Sequence, residues 1–260
     1  MKRQSTFLSR VRSALGVSED DGRTFGEIFA PGNTGPQKAL VETVDKRSHR
    51  QRMGLLHTLE VIGKPLNLNI IPVANTSGAA AAIGNLVATK HPEWGPAKSV
   101  AAWPHPLIEQ LDLAAALSDQ DVPVFSSDLE VATRKTAPDK TDIEKIRKRI
   151  TESFMGVTAA DYCLAETATL VLRTRPGQAR SVSLLPSIHV AVITLEQIIA
   201  DLQELYAILN QENEDHSDDL TNCMSLITGP SKTADIELTM VHGAHGPREL
   251  HIIVIGADRV

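Results

Sequence analysis

The apolar positions of this chain fall into two rhythms. Short aliphatic runs recur at 68–73, 99–103, 121–125, 187–193, 223–228 and 250–255. Runs of that length, bounded by turn formers, read as buried strands. Between them the spacing is helical. Leu55, Leu56 and Leu59 mark the apolar side of a helix over 36–63, and Gly63 supplies its stop. Ser77 caps an Ala-rich helix over 78–88, and Pro104 and Pro106 break the chain before a helix over 107–117. Ile143, Ile146, Ile150 and Phe154 give a helix over 142–154. Strands alternating with helices predict an α/β fold, with a mostly parallel sheet flanked by helices.

The second half carries sharper local signals. Residues 161–165 and 169–173 read as two strands, or one bent strand, around Glu166-Thr167. Thr194 with Gln197 makes a capping box, and Leu195, Ile198, Ile199, Leu202, Leu205, Tyr206 and Leu209 form the apolar face of the helix it should open. Residues 212–219 are acidic and polar, which predicts an exposed loop. Residues 229–232 then make a loop and 233–240 a short helix. At the other end, 1–16 reads as an amphipathic helix, with Phe7, Leu8, Val11 and Leu15 on one side and Lys2, Arg3, Arg10 and Arg12 around it. Turn formers at 31–36 close a linker. The expected organisation is an N-terminal helix and linker over 1–36 and one α/β domain over 37–260.

Composition narrows the function. The 260 residues carry a net charge of −6, which counts against generic binding to nucleic acid or anionic membrane. No stretch approaches the roughly 20 apolar residues that span a bilayer, so the expected setting is the cytoplasm with no membrane span. The chain has two cysteines, Cys163 and Cys223. An iron–sulfur cluster needs about four Cys ligands, so this chain alone holds none. A Cys-rich structural zinc site and a disulfide framework are equally out of reach. The basic run Lys145, Arg147, Lys148 and Arg149 reads as a solvated helix face, or as a surface for an acidic partner or anionic ligand.

Three stretches carry candidate chemistry. In 228–237, a strand is expected to run into a helix. Ser231, Thr233 and the backbone N–H groups there suit a carboxylate or phosphate, with Lys232 adding charge and Asp235 placed in the first turn. Helix capping by Ser231 or Thr233 is the plainer reading. Glu166 lies between two apolar runs, where a lone carboxylate is expensive to bury. It is therefore expected to be hydrogen-bonded, cation-paired or in a cleft, where acid–base work becomes open to it. His189 sits in the apolar strand 187–193, as a core or cleft residue. His242 and His245 have metal-compatible spacing only on a helix, and the neighbouring glycines argue for a loop, so no metal site is expected. His245 and Arg248 suit an anionic ligand or simple loop stabilisation.

Taken together, Val157 to Tyr162 with Ala165 to Leu172, Ser183 to Val192, Gly229 to Glu237 and His245 to His251 resemble the LUD domain family in its lactate-utilisation type. The resemblance covers roughly 155–255 and is looser before that. It implies the fold of the ribose-5-phosphate isomerase, glucosamine-6-phosphate deaminase and CoA-transferase group. It also implies a subunit without clusters, working with iron–sulfur protein partners that together oxidise L-lactate to pyruvate. In that setting Glu166 and His189 are the candidate catalytic residues, and Ser231, Lys232, Thr233, Asp235, His245 and Arg248 bind the anion. Two departures stand out. Lys232 replaces an expected Arg, keeping the charge but losing the planar fork. Ala168 stands where Gly is common. A stand-alone enzyme acting on a CoA, phosphate or nucleotide ligand is the alternative, and a purely structural assembly subunit is a third.

Overall fold

The computed structural model describes residues 35–92, 97–128, 140–215, 223–234, 240–243 and 245–257. The expected N-terminal helix, the linker up to residue 34, and Asp235 lie outside the described residues. The first helical stretch is two helices, α1 (Gly35–Asp45) and α2 (His49–Gly63). Ser48 divides them because its side chain accepts from the Gln51 amide while Gln51 reaches back to Ser48, a complete capping box. Strand β1 (Leu68–Val73) leads into α3 (Thr76–Thr89). Asn75, rather than Ser77, caps α3 by accepting from the Gly78 amide at 2.9 Å.

Next come β2 (Val100–Ala102), the single turns α4 (Pro106–Glu109) and α5 (Leu113–Ala116), and β3 (Val124–Ser126). The expected single helix over 107–117 is broken at Asp112, which adopts φ 42°. Helix α6 (Lys140–Thr151) stops short of Phe154, and β4 (Met155–Ala159) begins at once. Strands β5 (Tyr162–Leu164) and β6 (Thr169–Arg173) form the expected hairpin. Strand β7 (Ile188–Thr194) ends in the Thr194–Gln197 capping box, which is present. That box opens only a 3-10 turn, followed by β8 (Ile198–Ile199) and then α7 (Leu202–Asp215). The described chain closes with β9 (Met224–Ile227), β10 (Lys232–Ala234), β11 (Met240–His242) and β12 (Glu249–Ile255).

Six strands form a sheet in the order β1-β12-β7-β4-β2-β3, with every neighbouring pair parallel. Its central strands are apolar on both faces because both faces are covered. On one face Ala79, Ile83 and Val87 of α3, with Ile108 and Leu113, pack against Val100, Val157, Val190 and Ile253. On the other face lies a second sheet, ordered β8-β5-β6-β9, with Leu170 and Leu172 packed against Ala191, Ile193 and Ile252. Leu56 and Leu59 of α2 and Ile150 of α6 complete that layer. Val44 of α1 and Leu205 of α7 cover the outer face of the second sheet.

Strand order decides where a ligand has room. From β4 the chain moves to β7 and β12 in one direction across the sheet, whereas from β2 it moves to β3 in the other. The two connections lie on opposite faces, since Ile108 belongs to one core and Cys163 and Val182 to the other. The carboxyl ends of β2 and β4 therefore flank a topological switch point, where open α/β sheets leave a crevice.

Candidate functional site

Each strand at the switch point is followed by a polar residue. After β2, Trp103 is anchored by its indole N–H, which donates to the Ala179 carbonyl at 2.8 Å. Two residues on, His105 caps α4, its Nδ1 accepting from the Leu107 amide at 3.1 Å. That bond puts the ring proton on Nε2. Burial, and then the Arg175 charge, hold His105 below the ordinary imidazole pKa, so it is a neutral donor at pH 7.

After β4, Asp161 accepts from the Arg173 amide at 2.8 Å, from Arg173 Nε at 3.0 Å and from Arg175 Nη2 at 2.6 Å. Burial pushes its carboxyl up, but the hydrogen bonds and charges of Arg175 and Arg173 outweigh that and leave it below the usual carboxylate value. Arg173 also meets Glu212, which accepts from the Tyr162 hydroxyl at 2.8 Å. Burial and then Glu212 push the Tyr162 phenol well above its ordinary pKa. Arg175 ends this chain of contacts, and at 39% side-chain exposure it is the outermost cation. It faces a cavity of about 770 Å3 that Ser127 and Gln178 also line. The arrangement offers a planar guanidinium fork and a neutral imidazole N–H, a donor set suited to a small oxyanion.

The LUD domain matches residues 66–255 of this chain. This chain belongs to the LUD domain family. Lactate utilization protein C of Halalkalibacterium halodurans is 33% identical over 159 residues, covering 61% of this chain and 63% of that protein. The protein of the same name from Macrococcus caseolyticus is 40% identical over 101 residues, covering 39% of this chain and 43% of that protein. The chain thus spans about two fifths to just under two thirds of the length of these curated relatives. A crystal structure of a DUF162 family protein from Deinococcus radiodurans aligns with 79% of this chain and 98% of its own, at 19% identity and a TM-score of 0.48.

Within this LUD domain, the residues singled out in the sequence do not form one hollow. Glu166 lies exposed in the β5–β6 turn, its amide donating to the Ala200 carbonyl at 3.0 Å. The expectation that its carboxylate is hydrogen-bonded, cation-paired or in a cleft is corrected, because the turn lifts it into solvent. Ala168 completes the turn at φ 50°, the left-handed region where a Gly fits without strain. His189 is 1% exposed, in the layer between the two sheets, with Nε2 2.8 Å from the Thr158 hydroxyl. Burial, and then the charge of His251, lower its pKa to about 3. It is the core histidine of the two readings. No hydrogen bond or ion pair joins it to Glu166 among the described residues.

The 228–251 stretch gathers at the opposite, amino-terminal edge of the parallel strands. The expected helix over 233–240 is corrected as well. Lys232–Ala234 instead pairs antiparallel with Met240–His242, so among the described residues this stretch offers no helix N-terminus for an anion. Thr233 sits on that ribbon opposite Val241. Lys232 donates to the Leu66 carbonyl at 3.1 Å. The Ser231 amide donates to the Pro247 carbonyl at 2.8 Å, and its hydroxyl accepts from the His245 amide at 3.4 Å. The Arg248 amide donates to the Ser187 carbonyl at 2.9 Å, and Arg248 Nη2 to the His91 carbonyl at 3.3 Å. Ser231, Lys232, His245 and Arg248 do come together, but their bonds brace loops. Sequence reasoning missed His105 and Arg175, and placed Asp161 only at the start of the 161–165 strand. The available signal was position: each follows a strand or a strand-like run.

Proposed function

We propose that this LUD-domain chain is the cluster-free component of a cytoplasmic iron–sulfur complex that oxidises L-lactate to pyruvate. In this reading the β2/β4 crevice holds the small carboxylate. The supporting observation is that the Arg175 charge reaches the neutral His105 at the switch point of a domain whose relatives are named for lactate utilisation. Arg175 takes the lactate carboxylate through its fork, and His105 Nε2–H donates to the oxygen on C2. Lactate becomes pyruvate by losing two electrons and two protons. Clusters on the partner proteins would take the electrons and water the protons, since two cysteines cannot hold a cluster and Cys163 is fully buried.

Reconstitution with the partners tests this, reading lactate-dependent dye reduction with and without this chain. Activity should require the chain. Arg175→Ala should raise the KM for lactate roughly tenfold to a hundredfold, the range for losing charge-assisted hydrogen bonds. Arg175→Lys should recover part of the loss. Full-rate lactate oxidation by the partners alone would overturn the proposal.

A further inference from the structure

The cavity beside the crevice is far larger than lactate needs. It runs between α6 and the 174–185 chain, and at about 770 Å3 it lies in the range of sites for drug-sized organic molecules. Ile143, Ile146, Leu184 and Leu185 give it an apolar wall. Three of these, Ile143, Leu184 and Leu185, are among only seven large hydrophobic side chains left exposed in the described residues. Such clustering marks a surface meant to be covered. Its charged lining is Arg147, Arg175 and Arg180 against Asp128 alone, in a chain whose net charge is −6. Ile143 and Arg147 lie one helical turn apart on the same side of α6, so part of the basic run of that helix faces this cavity as well as open solvent. Gln178, 5% exposed, also lines it, and its Oε1 is buried without a hydrogen-bond partner.

We infer that this cavity binds an organic anion with an apolar body, held by Arg147 and Arg180 at its acidic group and by Ile143, Ile146, Leu184 and Leu185 along its length. The inference stands apart from lactate and does not depend on it.

The test uses 8-anilinonaphthalene-1-sulfonate, an aromatic sulfonate, titrated into the full chain. Saturable one-site fluorescence enhancement is expected, with a melting temperature that rises with dye concentration because the folded state is the one that binds. Arg147→Ala with Arg180→Ala should weaken binding roughly tenfold or more. Leu185→Glu, at an already exposed position, should abolish saturation while near-UV circular dichroism stays that of the parent. Non-saturating binding, a melting temperature lowered by the dye, or variants that bind as the parent does would each overturn the inference. A wall reserved for a protein surface would give the first or the last of these.

Discussion

Gly156 tests how the layer beneath this cavity is built. It sits on β4, beside Ala101 of β2 and His189 of β7. A Cβ at Gly156 would lie 1.9 Å from the Val182 carbonyl oxygen, 3.0 Å from its carbonyl carbon and 3.1 Å from Pro186 Cγ. Since real Cβ contacts stay beyond 3.0 Å, the strand or the 180–183 turn must move by at least about 1.1 Å. The obstacle is backbone, which has no rotamer to change. Overpacking a core typically costs about 1–3 kcal/mol, and a backbone clash belongs at the top of that range. For a chain of this size each kcal/mol shifts Tm by roughly 2–4 °C, so Gly156→Ala should melt about 6–12 °C below the parent. Gly54→Ala is the control. Its Cβ meets nothing within 4 Å on α2, so helix propensity should raise Tm by a few degrees. Thermal and urea unfolding by circular dichroism measure both. A Gly156→Ala protein melting within about 2 °C of the parent would refute the close approach of the 180–183 turn to β4.

Other contacts make equally definite predictions. Glu204 holds Arg47 through two bonds, at 2.5 and 3.1 Å, with both side chains at most 10% exposed, and it also accepts from the Ala200 amide. Glu204→Ala leaves a buried guanidinium unpaired and should cost about 3–5 kcal/mol in urea unfolding. His189 has a pKa of about 3 in the fold against an ordinary 6.5, so between those values the unfolded chain binds a proton that the folded chain does not. Its contribution is whole above pH 6.5 and is lost as the pH falls toward 3, at up to about 1.4 kcal/mol per pH unit. The stability of the parent relative to His189→Gln should therefore shrink by about 2 kcal/mol between pH 7 and pH 5, read from urea midpoints. Burial raises the Cys163 thiol to about 12, so Ellman's reagent should leave Cys163 unlabelled in the native chain and label it on unfolding.

Much of the fold was legible because its strands are uniformly aliphatic. Residues 68–73 match β1 from end to end, and β7, β9 and β12 agree within a residue or so. Where reading failed, a local signal was overridden by packing or had no contrast. Strand β4 went unread because Gly156, Thr158 and Ala159 are small or weakly apolar. Small residues are what the site requires, since the 180–183 turn lies directly on Gly156. The Thr194–Gln197 box forms as expected, yet Ile198 and Ile199 pair with Cys163 and Leu164 and defer the helix to Leu202. Residues 212–215, expected as exposed loop, continue that helix to Asp215.

The site was less legible for a reason that follows from the fold. Polar density is a local property, and in 228–251 it is highest where loops must bind each other's carbonyls at the amino-terminal edge of the sheet. A crevice at a switch point is a property of strand order. His105 and Asp161 are brought to it only because β4 inserts between β7 and β2, and no periodicity records that insertion. The missed strand hid the site twice over. Without β4 there is no reversal in the direction of winding, and without its carboxyl end Asp161 merely opens the 161–165 strand. Once β4 is in place, the rule that ligands gather at strand carboxyl ends beside a switch point points to His105, Asp161 and Arg175. Arg175 enters through the second sheet, because the β6 hairpin strand carries Arg173 to the Asp161 carboxylate and sets Arg175 on the same carboxylate and on the cavity wall. The second sheet thus covers a core face and delivers the outermost cation of the site.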